Sequence, residues 1–121
     1  MPDRGTREYE IVVYGATGFT GALTAEYLAR NAAGLDWALG GRNRAKLEAV
    51  RDRLAGIDSA LAELPLIEAD AGRPESLAAM AARTQVLITT VGPYTNYGEP
   101  LVAACAKAGT DYVDLSAEPE F

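Results

Sequence analysis

Three glycines at a spacing of three, Gly15, Gly18 and Gly21 in YGATGFTG, follow directly on the β-branched run Tyr9–Tyr14, YEIVVY. No other feature restricts the fold as tightly. A short apolar run that ends in glycines reads as a buried strand. The chain beyond it, FTGALTAEYLARN from Phe19 to Asn31, carries apolar residues at Phe19, Leu23, Tyr27 and Leu28, which is helical spacing. A strand that passes through a glycine turn into a helix is the first half of a βαβ unit.

The rest of the chain repeats that order. LDWAL, Leu35 to Leu39, reads as a second strand closed by Gly40 and Gly41. Arg44 to Leu54 reads as a second helix with Leu47, Val50 and Leu54 on one stripe. LPLIEA, Leu64 to Ala69, is a third strand whose start is weakened by Pro65. Pro74 to Arg83 is a third helix, with proline in the first turn, where a missing N–H costs nothing. QVLITTV, Gln85 to Val91, is a fourth strand. Pro100 to Ala108 is a fourth helix closed by Gly109, and YVDL, Tyr112 to Leu115, is a fifth strand. Strict alternation with short connections predicts an α/β, doubly wound parallel sheet of about five strands and four helices, a Rossmann-type domain. Residues 1–8 are expected to form a flexible tail and 9–121 the domain. A full domain of this type continues to a sixth strand, so the chain reads as the front part of a longer protein, cut before a substrate domain.

Composition narrows the function. The 121 residues are 49% hydrophobic and 23% charged, ordinary for a globular protein. No apolar run approaches the roughly 20 residues of a membrane span, and the polar start MPDRGTREYE is not a secretory signal. A single cysteine, Cys105, excludes an internal disulfide framework and fits a reducing cytoplasm. The absence of histidine removes histidine-based zinc sites and catalytic triads, and no metal site is expected. A net charge of −6 argues against a nucleic-acid partner, which usually meets a basic face. It leaves room for a small anion held by a local group of amides and arginines.

The glycine turn lies where doubly wound folds bind a dinucleotide pyrophosphate. Gly15 suits the tight turn, Gly18 leaves space for phosphate oxygens, and Gly21 lets the helix lie close. The first helical amides, Phe19 onward, lack partners within the helix, and the dipole there favours an anion. Thr17 and Thr20 add hydroxyl donors. The pattern is G-x-x-G-x-x-G rather than G-x-G-x-x-G, and such turns also serve as plain connectors. After the second strand an NAD site would place an acid for the ribose 2′-OH. This chain has Gly40-Gly41-Arg42-Asn43-Arg44 instead, with Arg42 standing 21 residues after Gly21. A guanidinium binds a 2′-phosphate bidentately, so NADP(H) is the expected cofactor. Asn43, Arg44 and Lys46 either support it or are solvated residues of a helix start. Asp70, after the third strand, either accepts the adenine amino group or caps the third helix. Val91, Gly92 and Pro93 are expected beside the nicotinamide ribose. Tyr94 and Tyr97 follow on a loop, as substrate-side groups or as a cover for the core.

With GATGFTG, GGRNRAKL, EAD and TTVGPYTNYGEPLVAACAKAGTDYVDLSAEPEF, the chain resembles saccharopine dehydrogenase-like proteins over about Tyr9 to Phe121. It is most similar to their mycobacterial and actinobacterial branch of trans-acting enoyl reductases. The resemblance implies an NADP-binding half, followed by a larger half that shapes the substrate site. It also implies reduction of an enoyl bond on acyl chains carried by a polyketide synthase, toward complex lipids. Gly15, Gly18, Gly21, Arg42, Gly92 and Pro93 match the family's cofactor positions, and no catalytic residue is carried over.

Two other classes remain beside this one. A non-enzymatic NADP sensor would carry the same glycine turn. An extended short-chain dehydrogenase or epimerase needs a Tyr-x-x-x-Lys pair, and none of the six tyrosines has a lysine four places later. A methyltransferase would leave the basic residues 42–46 unexplained. An exposed apolar edge or face near strand five, with self-association, is a further expectation.

Overall fold

The computed structural model describes residues 7–32, 34–70, 72–89 and 94–114, apart from the side chains of Phe19, residues 94–100 and Asp114. Five strands, β1 (Tyr9–Tyr14), β2 (Trp37–Gly41), β3 (Leu66–Glu68), β4 (Thr84–Thr89) and β5 (Asp111–Asp114), form one parallel sheet in the order β3-β2-β1-β4-β5. The helices are α1 (Phe19–Asn31), α2 (Arg44–Ala55), α3 (Pro74–Ala81) and α4 (Tyr94–Ala108). A 3-10 turn, Ser59–Glu63, precedes β3. The helices lie on both faces of the sheet. One face of the sheet buries Val13, Ala25, Trp37, Leu39, Leu47, Val50 and Leu54 with α1 and α2. The other buries Val12, Tyr14, Ile67, Leu77, Met80, Leu87, Leu101 and Cys105 with α3 and α4. The doubly wound expectation therefore holds.

Several local expectations change. β2 runs two residues later than LDWAL. Gly40 and Gly41 are strand members, paired with Ile67 and Glu68 of β3. A Cβ on Gly40 would lie 3.1 Å from the Met80 sulfur, and one on Gly41 3.1 Å from Leu47. These glycines make room for the helices packed on the two faces, so they do not break the strand. β3 shortens to Leu66–Glu68, and Pro65 keeps only its carbonyl in the ladder, accepting from Leu39 N–H at 3.0 Å. α3 stops at Ala81, and β4 begins with Thr84.

The buried face of α1 is only in part the stripe of large residues, of which Leu28 packs against the core. Gly21 and Ala25 face the sheet, while Leu23 and Tyr27 are 51% and 67% exposed. Small residues let this helix sit close to the strands, and proximity then turns the next positions outward. The α2 stripe of Leu47, Val50 and Leu54 is buried as expected. α4 begins at Tyr94, six residues before Pro100, so Tyr94 and Tyr97 belong to a helix and not to a loop. It ends as predicted at Gly109, where Gly109 N–H reaches Ala106 O and Thr110 N–H reaches Cys105 O, a Schellman closure.

The expected tail is tied down at its end, while residues 1–6 lie outside the described residues. The Arg7 guanidinium donates to Thr84 O at 2.6 Å, to Thr110 Oγ1 at 2.5 Å and to Ala108 O. Glu8 pairs with Arg83 at 3.0 Å. Arg7 thereby collects carbonyls near the C-terminal ends of α3 and α4, where the helix dipoles favour a cation.

Candidate cofactor crevice at the carboxyl end of the sheet

Strand order reverses between β1 and β4, because β1 leads to β2 on one side and β4 lies on the other. Ligands of doubly wound sheets bind outside the strand carboxyl ends at that switch point. The turn after β1 fills it. Gly15 has φ +88°, closed to most residues with a Cβ, and its N–H donates to Gly40 O at 2.9 Å. The turn closes through Gly18 N–H to Gly15 O at 3.1 Å. At Gly21 a Cβ would stand 2.0 Å from Gly15 O and 2.8 Å from Ala16 Cα. The close approach that Gly21 permits is thus to the turn's own backbone.

Gly18 differs from both. Its φ is −82° and a Cβ there would meet nothing nearer than Gly15 O at 3.6 Å. The protein by itself has no steric need for glycine at this exposed position. It is also the N-cap of α1 and supplies no side-chain acceptor to the first helical amides. The combination of a helix start without a side-chain cap and a space that no described residue fills fits a phosphate of a dinucleotide. Thr17 is exposed beside it and Thr20 is half-buried in the first turn. The Phe19 side chain lies outside the described residues.

Arg42 follows β2 directly, is exposed, and has no ion pair or hydrogen bond among the described residues. Asn43 is the N-cap of α2, its Oδ1 accepting from Lys46 N–H at 3.1 Å. That oxygen is engaged within the protein. Arg44 pairs with Glu48 at 3.7 Å in the next turn, an exposed i,i+4 contact of small energy.

Asp70 does not cap α3, whose cap position is Arg73. Its Oδ1 accepts from Gly72 N–H at 2.9 Å, closing an Asx turn, and its N–H donates to Ser76 Oγ at 2.9 Å. One support of this loop escaped the sequence reading. The Tyr14 hydroxyl, at the buried end of β1, donates to Ala69 O at 3.0 Å. A tyrosine closing an apolar run reads only as a core residue, and nothing in the sequence names its partner 55 residues away. Val91, Gly92 and Pro93, and the side chains of Tyr94 and Tyr97, lie outside the described residues. A separate cavity of about 380 Å³, lined by Leu28, Leu35, Trp37, Leu61 and Leu64, opens at the amino end of the sheet, away from this crevice.

Cys105 is buried in α4, which pushes its thiol up to about 11 and keeps it protonated and unreactive at neutral pH. Among the described residues no helix is long and apolar enough to cross a membrane.

Comparison with known proteins agrees with this geometry. Residues 11–120 match the family model described as the saccharopine dehydrogenase NADP binding domain. Over 115 residues the chain is 56% identical to a trans-acting enoyl reductase of Mycobacterium ulcerans and 58% identical to one of Mycobacterium tuberculosis. It is covered to 95% in both alignments but spans only 27% of either relative. Among solved structures, saccharopine dehydrogenase from Saccharomyces cerevisiae superposes with a TM-score of 0.67 at 21% identity, over 88% of this chain and 21% of that one. Triphenylmethane reductase of Citrobacter, complexed with NADP(H), gives 0.68 at 26% identity, over 84% and 34%. The glycine turn, the bare helix start and a free arginine in place of the acid after β2 all suit that cofactor, and the chain belongs to the saccharopine dehydrogenase NADP-binding domain family.

Proposed function

We propose that this chain is the NADPH-holding part of a cytoplasmic reductase whose larger remainder shapes the substrate site. Its substrate would be an enoyl group on a carrier-bound acyl chain, the activity named for the mycobacterial relatives. When bound, the nicotinamide supplies hydride. The chain's own residues bind and orient. The first backbone amides of α1, from Phe19 on, hold the pyrophosphate together with Thr17, and the glycines Gly15, Gly18 and Gly21 shape the turn that brings it there. Arg42 takes the 2′-phosphate, Asn43 flanks it, and Asp70 meets the adenine. Val91, Gly92 and Pro93 run beside the nicotinamide ribose.

The observation that carries this reading is Arg42, an exposed guanidinium with no partner among the described residues, directly after β2, where this reading puts the ribose 2′-substituent. A charged hydrogen bond of this kind is worth about 1.5–3 kcal/mol, or roughly one to two orders of magnitude in affinity. Titration of the wild-type chain and of Arg42→Ala with NADPH and NADH is the direct test. NADPH should bind at least tenfold tighter to the wild type, and the substitution should erase the difference. Equal binding of both cofactors by the wild type would refute the assignment. Turnover is tested by joining the chain to the remainder of a mycobacterial relative and supplying NADPH with an enoyl thioester.

A further inference from the structure

The two faces of the sheet are not equally covered. On one face α3 and α4 pack over β4 and β5. On the other, α1 lies over β1 and α2 over β2 and β3. Parallel partners in register point to the same face. Val86 stands beside Ile11, and Ile88 stands between Val13 and Val113, so Val86, Ile88 and Val113 project on the α1 side. Val113 is 40% exposed, and Val86 and Ile88 are half-buried. Their neighbours on the opposite face are sealed, with Leu87 fully buried and Tyr112 packed on the core. Leu23 and Tyr27, on the outer surface of α1, add exposed apolar area on that same side of the sheet.

Parallel sheets persist almost only with both faces covered, and their strands carry apolar residues on both sides for that reason. β4 and β5 have that pattern, but among the described residues only one of their faces has its layer. The connectivity says where the second layer can originate. α4 joins β4 to β5 on the α3 side. A further strand added beyond β5 by another right-handed crossover would place its helix on the α3 side again. Continuing the same winding therefore never covers the α1 side of β4 and β5. The cover has to arrive from a segment outside the winding, and the relatives hold nearly three quarters of their length outside the stretch matched here.

We infer that the α1-side face of β4 and β5, centred on Val86, Ile88 and Val113, is the docking surface for an amphipathic helix from the part of the longer relatives that lies outside the matched stretch. A helix suits it because sheet faces are covered by side-chain packing, whereas a strand would need an edge. The partner presents a stripe of aliphatic residues to Ile88 and Val113. The docked helix ties the substrate-shaping part to the strands that end at the crevice. This inference does not depend on which cofactor the crevice holds.

The test compares the chain alone with the chain joined to the remainder of the Mycobacterium tuberculosis relative. Val113→Cys is introduced in both, and its labelling by a thiol reagent is timed. The unsubstituted proteins serve as the blank, since Cys105 is buried. Labelling at least tenfold slower in the joined protein supports docking. Equal rates overturn it. Slow labelling in the chain alone, with sedimentation showing a dimer that dissociates on dilution, also overturns it and assigns the face to a second copy. Val113→Asp provides a second reading. It should lower the melting temperature of the joined protein by several degrees and leave that of the chain alone within about one degree. Equal shifts in the two would refute the proposal.

Discussion

The two ends of the sheet are built on opposite principles. At the amino end, most polar groups of Arg7, Thr110 and Arg83 are consumed by the protein, Arg7 Nε being buried without a hydrogen-bond partner among the described residues. Arg7 reaches the carbonyls of Thr84 and Ala108, Thr110 Oγ1 donates to Ala81 O at 2.6 Å, and Arg83 holds Glu8. At the carboxyl end the Arg42 guanidinium has no partner among the described residues, the N-cap of α1 makes no side-chain hydrogen bond, and Gly18 leaves space that no described residue fills. Satisfied groups contribute stability, whereas groups left open at a fixed position contribute binding. On the proposed reading, the difference separates charge that holds the fold from charge that binds the cofactor.

Substitutions at the two ends should therefore move different observables. Gly21→Ala is expected to have the largest effect, because its Cβ would collide with the backbone of the turn itself. A loss of roughly 3 kcal/mol is expected from such overpacking, read as a shift in the urea midpoint, together with loss of NADPH binding. Arg7→Ala strands buried carbonyls at the amino end. It should cost about 2–3 kcal/mol, lowering the melting temperature by roughly 10 °C, with the NADPH dissociation constant of the folded protein unchanged. An equal loss of cofactor affinity would erase the contrast between the two ends.

Arg42→Ala should do the reverse, weakening NADPH tenfold or more in a titration while calorimetry finds the melting temperature unmoved. Gly18→Ala sharpens the contrast inside the glycine turn. The site is sterically open at negative φ, and the unfolded-chain gain of alanine is opposed by its poorer fit at an N-cap, so stability should change by less than about 1 kcal/mol. Affinity for NADPH should nevertheless fall several-fold, because the added methyl occupies the phosphate's place. Unchanged affinity would remove Gly18 from the site.

The smallest effect belongs to Glu8. Its hydrogen bond to Arg83 holds the carboxyl below its ordinary value. A depressed folded-state value means the stabilisation is present above the unfolded value near 4.5 and is lost as pH falls through the folded one. Glu8→Gln should flatten the acid limb of stability against pH in that window and leave neutral pH almost unchanged. The carboxylate is fully exposed, so salt should diminish the difference.

What the sequence by itself determined is the series of elements and the place of the crevice. Periodicity and glycine spacing are local signals, and a strand leading through Gly15 into a helix needs no distant residue to be recognised. The positive φ of Gly15, the capped end of α4 at Gly109 and the stripe of α2 follow from residues within a few positions of one another. Tertiary structure decided which faces are buried and which polar groups are used up. It turned Leu23 and Tyr27 outward because Gly21 and Ala25 bring α1 close to the sheet. It drew Gly40 and Gly41 into β2 because Met80 and Leu47 occupy the space their side chains would need. It joined Tyr14 to Ala69 and, among the described residues, left Arg42 without a partner and the α1 side of β4 and β5 without a layer. Most of these depend on atoms brought together from distant parts of the chain, as Gly40 with Met80 and Tyr14 with Ala69, and no short window of sequence contains both partners.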